Sequence, residues 1–191
     1  IYNTANARIR GFEAEARFTV NSRLRLGANL GHIDADYTRA LYDISGDGAV
    51  NAADLALKLP RAPAWTWGLG LEAELPLGDV SAINASLRFQ HRARFAYTDN
   101  NFGWMGAQDH LDARLTWKLP VPHGKTGGGW RIALYGRNLL DEVQFGGDTQ
   151  IPWGGALSDG NNRPFDPRPA AGTFSPLTKG RTLGVEVAID Y

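Results

Sequence analysis

The sequence of 191 residues contains no cysteine, a single methionine and no excess of charge, since 20 basic residues balance 20 acidic ones. The absence of cysteine excludes disulfide frameworks, thiolate zinc sites and cysteine nucleophiles. A formal net charge of zero leaves no basic footprint, so no nucleic-acid partner is expected. No run of about 18 uncharged apolar residues is present, so no transmembrane helix is expected.

What the chain does contain is glycine, at 23 residues, and a regular alternation of apolar and polar side chains. A period of two is the side-chain period of a β-strand, whereas a helical period would scatter these apolar residues around a cylinder. The alternation recurs in seven segments, near residues 11–20, 23–30, 65–75, 83–95, 110–118, 130–137 and 182–191. The sequence therefore predicts an all-β fold, an antiparallel meander with one apolar and one polar face.

The length of the segments and of their connections indicates which solvent the apolar face meets. Segments of roughly ten to fourteen residues exceed the usual strand length of soluble proteins. Short turns alternate with long connections at residues 38–62 and 141–180, and aromatic residues gather at both ends of the strands. These features are typical of a transmembrane β-barrel, with the long connections as extracellular loops. The alternative is a soluble β-sandwich that binds calcium or carbohydrate.

Seven is an odd number of strands, whereas bacterial single-chain barrels have an even number. A sheet with two unpaired edges in lipid would leave backbone groups unsatisfied, at several kcal/mol each. We therefore expect residues 1–191 to be the C-terminal portion of a larger barrel.

Several segments resemble the barrel of TonB-dependent outer-membrane receptors in their residues, order and spacing. The segments that carry the resemblance are 7–15 around Gly11-Phe12-Glu13, 26–37 ending in Asp34-Ala35-Asp36-Tyr37, 59–65, 135–142 with Asn138-Leu139-Leu140-Asp141, and 180–185. The resemblance implies a 22-stranded barrel in the bacterial outer membrane, with an N-terminal plug and a coupling segment read by TonB. The chain lacks both of these parts.

The same resemblance implies the function: a receptor, not an enzyme, that imports a scarce ligand such as a ferric siderophore. The implied partners are outer-membrane lipid, the remainder of the barrel and the plug, the TonB system through the missing N-terminal part, and a small-molecule ligand. A passive porin-like channel is the alternative that lacks energy coupling.

In one predicted loop, residues with oxygen donors follow the spacing of a calcium site. Residues 43–54 match a twelve-residue EF-hand-type loop, similar to the calcium loop of dockerin repeats. Gly48 occupies the position that needs a sharp turn, and residues 52–58 are expected to form the short helix that follows. The predicted ligands are Asp43, Ser45, Asp47, Ala49 through its carbonyl group, Asn51 and Asp54. We expect a structural Ca²⁺ ion here, in the extracellular loop 38–62; the alternative is an ion-free surface loop.

Arginine and lysine side chains form a second pattern. Arg88, Arg92 and Arg94 follow one strand, with Arg114 and Lys118 nearby. We expect them to pair with carboxylates such as Asp112, Glu72 and Glu74 across the strands, and the alternative is that they attract an anionic ligand or lie against a plug. No nucleophile–base constellation and no histidine pair at metal-ligand spacing is present.

Overall fold

A computed structural model describes residues 3, 5–78, 81–101, 103–120, 129–144, 149–150, 173–174 and 177–190. Nearly all of the regular structure in these ranges is β-strand. The elements in chain order are β1 (Ala5–Asn21), β2 (Leu24–Ala40), α1 (Ala52–Ala56), β3 (Trp65–Pro76), β4 (Ala82–Arg92), β5 (Phe95–Ala96), β6 (Trp104–Met105), β7 (Gln108–Pro120), β8 (Gly129–Arg137), β9 (Thr149–Gln150), β10 (Thr173–Phe174) and β11 (Thr182–Asp190).

Seven of the strands form one open sheet in the order β1-β2-β3-β4-β7-β8-β11, and every neighbouring pair is antiparallel. The four short strands form two separate pairs, β5 with β6 and β9 with β10. The predicted all-β meander of seven strands is confirmed. Within the described residues no helix is long and apolar enough to cross a membrane.

The cross-strand register keeps apolar and polar residues on separate faces across the whole sheet. Leu26 lies between Phe18 and Leu71, whereas Arg25 lies between Thr19 and Glu72. The apolar rows are solvent-exposed on their own: Leu183 retains 70% of its surface and Val185 retains 65%. No second sheet covers these rows in the part of the chain that the structure describes. A β-sandwich formed within this chain is therefore excluded for the described residues.

The strands differ in length from the predicted segments. Strands β1 and β2 each have 17 residues and extend toward the long loops, where polar cross-strand pairs such as Arg10 with Asp34 replace the apolar ones. As a result β2 includes the first three residues of the predicted loop 38–62. Strand β4 ends at Arg92, before Arg94 and Phe95, because Phe95 pairs with Met105 in a separate small hairpin.

The tightly packed part of the chain lies at the end of the sheet that carries the long connections, called here the loop end. Buried residues there belong to the loop after β2, to the β5–β6 hairpin and to the outer ends of β7 and β8. They are Ile44, Asp54, Ala96, Met105, Gln108 and Asn138. Both faces of the sheet itself stay largely accessible, so the loops rather than the strands supply the interior of this chain.

Candidate functional site

The predicted calcium loop is ordered around the carboxylate of Asp54. This side chain is completely buried at the start of α1, and its oxygens accept hydrogen bonds from the backbone N–H groups of Ile44 (2.7 Å), Ser45 (2.8 Å) and Asn51 (2.8 Å). Burial alone would raise the pKa of Asp54, but these hydrogen bonds stabilise the ionised form and bring its pKa below the ordinary value. The ionised carboxylate of Asp54 therefore connects the beginning of the loop to its end through hydrogen bonds.

Two further carboxylates brace the turns of this loop. Asp43 accepts hydrogen bonds from the backbone N–H groups of Gly46 (2.6 Å) and Gly48 (2.7 Å). Gly48 has a φ of +96°, the left-handed region that glycine adopts without strain, as the predicted sharp turn requires. Asp47 accepts hydrogen bonds from Asn51 Nδ2 at 2.7 Å and from the backbone of Ala49 at 2.9 Å.

The six predicted calcium ligands lie in one loop, in which the carboxylate oxygens of Asp43, Asp47 and Asp54 accept hydrogen bonds from donors of the loop itself. Within the described residues, no group of three or more His, Asp or Glu side chains converges as metal ligands. The helix predicted over residues 52–58 forms over Ala52–Ala56 only, because Leu57 is already extended, and Asn51 caps it through a 2.6 Å hydrogen bond from the backbone of Ala53. The calcium ion stays a prediction.

The loop after β2 is fastened to the loop after β4. Lys58 and Asn101 exchange hydrogen bonds through the Lys58 backbone and the Asn101 amide, at 2.6 and 2.8 Å. The guanidinium of Arg61 lies 5.3 Å from the centre of the Tyr97 ring. Burial raises the pKa of the Asp99 carboxyl in the same cluster, against the lowering effect of Arg61. Two connections that look independent in the sequence therefore form one unit.

Cation–aromatic contacts recur around this unit. Arg92 lies 4.8 Å from the centre of the Phe95 ring, and Arg94 lies 5.1 Å from that of Trp104. Such contacts hold a cation over the negative face of a ring. The loop end therefore presents arginines in fixed positions.

The predicted pairing of the arginine row with carboxylates is met in part, with different partners. Arg114 pairs with Glu186 at 3.0 Å, and Glu72 pairs with Arg25 at 3.4 Å. Arg92 instead donates to the neutral amide oxygen of Gln108 at 3.0 Å. Gln108 carried no signal in the sequence, because an isolated glutamine in an alternating strand shows no functional pattern.

A cavity of about 670 Å³ opens on the polar face beside this Arg92–Gln108 pair. Residues of five neighbouring strands contribute polar side chains to its lining. They are Glu13, Glu15, Asn29, Thr66, Gln90, Arg92, Gln108 and His110. The cavity lies on the polar face of the sheet, close to the loop end.

The apolar face also has a polar pair at its loop end. His91 Nδ1 lies 2.6 Å from a carboxylate oxygen of Asp109, and the imidazole stacks on Trp67 at a ring distance of 5.3 Å. His32 stacks on Trp65 at 4.1 Å one strand pair away. Amphipathic rings are typical of the interface between an apolar layer and water. These histidine and tryptophan rings therefore mark the edge of the apolar band at the loop end.

Asn138 and Asp141, the two polar residues of the Asn-Leu-Leu-Asp motif, make hydrogen bonds in the turn after β8. Its side-chain amide donates to the backbone carbonyls of Glu142 (2.8 Å) and Lys179 (3.0 Å), and its backbone N–H donates to Asp112 (2.8 Å). Asp141 accepts a 2.7 Å hydrogen bond from the backbone of Arg181. The motif therefore ties the end of β8 to the start of β11. Most of the predicted loop 141–180 between them lies outside the described residues.

Comparison with known proteins supplies the family. The family model for the β-barrel of TonB dependent receptor-like proteins matches residues 1–139. No curated protein sequence matches the chain.

The fold is similar to that in the crystal structure of the ferric yersiniabactin uptake receptor of Yersinia pestis, with a TM-score of 0.70 and 17% sequence identity. The similarity covers 99% of this chain and 24% of that receptor, so the chain spans about a quarter of its length. At this identity the comparison supports the fold alone.

Proposed function

The chain belongs to the TonB-dependent receptor-like β-barrel family, and from that premise we propose that it forms part of the wall and the outer loops of a receptor that imports a scarce small molecule. Proteins with this barrel reside in the bacterial outer membrane, and this chain is therefore an outer-membrane protein. The family consists of receptors and transporters rather than enzymes.

The division of the sheet into two faces supports this function most directly. Many side chains of the apolar rows are exposed in this chain and meet lipid, while the polar rows line a lumen. Both edge strands, β1 and β11, have only one neighbour in the described sheet. Because unpaired edges are costly in lipid, further strands complete the barrel, and the chain supplies its C-terminal portion. A plug and a coupling segment read by TonB complete the transporter.

The proposed ligand is a ferric siderophore or a similar scarce compound. Support comes from the fixed arginines and the polar cavity at the loop end, and from the similarity of fold to a receptor that takes up a ferric siderophore. The loop 141–180 is proposed as an extracellular part of the same entrance.

Uptake measurements test the proposal. A strain deleted for the full-length gene should lose accumulation of ⁵⁵Fe from at least one ferric siderophore in a panel, and the gene on a plasmid should restore it. Accumulation should disappear in a strain without TonB or with a collapsed proton gradient. Uptake that persists without TonB would identify a passive channel instead.

We also propose that the extracellular loop 38–62 binds Ca²⁺ through Asp43, Ser45, Asp47, the carbonyl of Ala49, Asn51 and Asp54. Support comes from the twelve-residue spacing and from the left-handed Gly48 at the position of the sharp turn. Asp43 Oδ2, Asp54 Oδ2 and both carboxylate oxygens of Asp47 each accept one hydrogen bond, which leaves a second lone pair on each oxygen that can ligate a cation. The ion would stiffen the loop at the ligand entrance.

Isothermal titration of the full-length protein in detergent tests the calcium proposal. A saturable heat with a Kd of about 10⁻⁴–10⁻³ M is expected for Ca²⁺, as in extracellular calcium modules. Asp47→Ala should abolish it, whereas Asp99→Ala, in the neighbouring loop, should not. No heat at millimolar Ca²⁺ would contradict the proposal.

A further inference from the structure

The apolar face of the sheet changes character just beyond the row of rings at the loop end. Phe12, His32 and Trp65 contact one another at ring distances of 4.1, 5.6 and 6.1 Å, and the pairing of β2 with β3 ends there. Strands β1 and β2 continue past this row, and β1 places Arg10 and Arg8 on the same face as Phe12. The apolar rows are therefore followed directly by basic side chains.

Arg8 and Arg10 are exposed and have no partner in the part of the chain that the structure describes. Neither side chain makes an ion pair, a hydrogen bond or a cation–aromatic contact with a described residue. Arg10 lies opposite Asp34 in the register without forming an ion pair. Asp36, opposite Arg8, pairs instead with Lys58 at 3.8 Å. Two guanidinium groups on this face can therefore bind an anion from outside the described chain.

The surroundings of the two arginines carry an excess of positive charge. The parts of β1 and β2 beyond the rings, together with the residue bridged to β2, contain more basic than acidic side chains. The basic ones are Arg8, Arg10, Arg39 and Lys58, and the acidic ones are Asp34 and Asp36. Basic clusters beside a membrane attract anionic lipid headgroups. The charge of this surface is therefore complementary to an anionic lipid.

The two arginines also stand at the height of the headgroups. Two residues of a strand span about 7 Å, which a tilt of about 40° reduces to roughly 5 Å along the membrane normal. Arg10 therefore lies roughly 5 Å beyond Phe12, and Arg8 roughly 10 Å. The headgroup layer outside the hydrocarbon is about 5–7 Å thick. Because long basic side chains extend along the surface toward the interface, both guanidinium groups reach this layer.

We propose that Arg8 and Arg10 form a docking site for the phosphate groups of a phosphorylated glycolipid in the outer leaflet of the outer membrane. A guanidinium group suits this partner because its parallel N–H donors match two phosphate oxygens. The rings of Phe12 and Trp65 lie next to the site and face the beginning of the acyl chains. This inference rests on the proposed extracellular position of the loops. It goes beyond the proposed import, because the site lies on the lipid side of the wall.

Titration of the full-length protein in a nonionic detergent tests the site, with mixed micelles of diphosphoryl lipid A as the probe. The same lipid with both phosphates removed is the uncharged control. The wild type should bind the phosphorylated lipid at least about tenfold more tightly, because each basic side chain near an anionic surface strengthens binding roughly fivefold. Arg8→Gln combined with Arg10→Gln should remove this preference. The matched double variant Arg88→Gln with Arg137→Gln, at exposed positions of the polar face, should keep it.

Asp34→Asn provides a second variant, which removes an acidic neighbour of the site and should strengthen binding of the phosphorylated lipid. Weaker binding by this variant, equal binding of the two lipids by the wild type, or equal losses in the two double variants would overturn the site. Millimolar inorganic phosphate should leave the lipid bound, and displacement of the lipid would overturn the assignment in favour of a site for free phosphate. Iron uptake is measured separately, so the import proposal and this one can fail independently.

Discussion

Asp54 is the residue on which the order of the loop 43–54 should depend most. Its carboxylate accepts three backbone N–H groups and is completely buried. Asp54→Ala should make opening of residues 43–54 easier by about 3 kcal/mol, since hydrogen bonds to a charged group are worth about 1.5–3 kcal/mol each. Hydrogen exchange measured with a calcium chelator should show roughly hundredfold faster exchange of this loop. Asp47→Ala, at an exposed position, is the control and should have a smaller effect.

The order of this loop should also depend on pH. The pKa of Asp54 is lower in the folded loop than in the unfolded chain, so the ionised carboxylate stabilises the fold. This stabilisation is complete above the ordinary value of 3.8 and is lost as the pH falls through the lower folded pKa. Intrinsic-rate-corrected exchange of the loop should therefore be constant between pH 5 and 7 and increase only below about pH 4. Loosening of the loop already at pH 6 would contradict this assignment.

Asn138 is the residue-scale connection between two strands. It adopts a φ of +50°, which asparagine tolerates, and its buried amide donates to two carbonyls. Asn138→Asp keeps the shape but removes both donors, and it should destabilise the barrel by about 2–3 kcal/mol. Urea unfolding of the full-length protein in detergent measures this. Asn21→Asp, at the exposed end of β1, retains the oxygen that accepts from the Arg23 N–H group, so it is the control and should change the midpoint much less.

At the scale of elements, a tyrosine of β8 covers a glycine of β11, since Tyr135 lies directly opposite Gly184. A Cβ atom at Gly184 would collide with the ring of Tyr135, whereas nothing lies within 4 Å of a Cβ at Gly27. Both glycines lie on the polar face. Gly184→Val should therefore displace the ring and reduce the yield of folded barrel, while Gly27→Val should not. The heat-dependent mobility shift of folded barrels on SDS gels reports the yield, and equal yields would contradict this packing.

At the loop end, contacts between two loops add to the pairing between strands. The strand rows pack only against their lateral neighbours in the described sheet, but the loop after β2 contacts the loop after β4 through Lys58, Arg61 and Asn101. Interlocked loops pay less conformational entropy when a ligand binds, because they are already ordered. This arrangement suits a receptor wall that must present fixed groups at its entrance.

At the scale of the whole molecule, the two faces meet different media, and this can be tested by charge insertion. Leu87 lies in the middle of β4 on the apolar face, and its neighbour Ser86 lies on the polar face. Leu87→Lys should destabilise the barrel in a bilayer by about 2–4 kcal/mol, the cost of a lysine near the midplane. Ser86→Lys should cost much less. Unfolding in phospholipid vesicles compares the two, and equal effects would argue against a lipid-facing apolar row.

The alternation of residues such as Trp65, Thr66 and Trp67 was enough to predict the strands, their antiparallel order and their two faces, because a period of two places successive side chains on opposite sides of any strand. The spacing from Asp43 to Asp54 was enough to predict a tight loop and the helix after it. The end of β4 at Arg92 was not predictable, since only the separate pairing of Phe95 with Met105 interrupts the strand. The pairing of Arg114 with Glu186 and of Glu72 with Arg25 likewise depends on register between strands far apart in the chain. Local periodicity is a property of the sequence, whereas contacts across a sheet exist only once loop closure and tertiary packing have fixed which strands are neighbours.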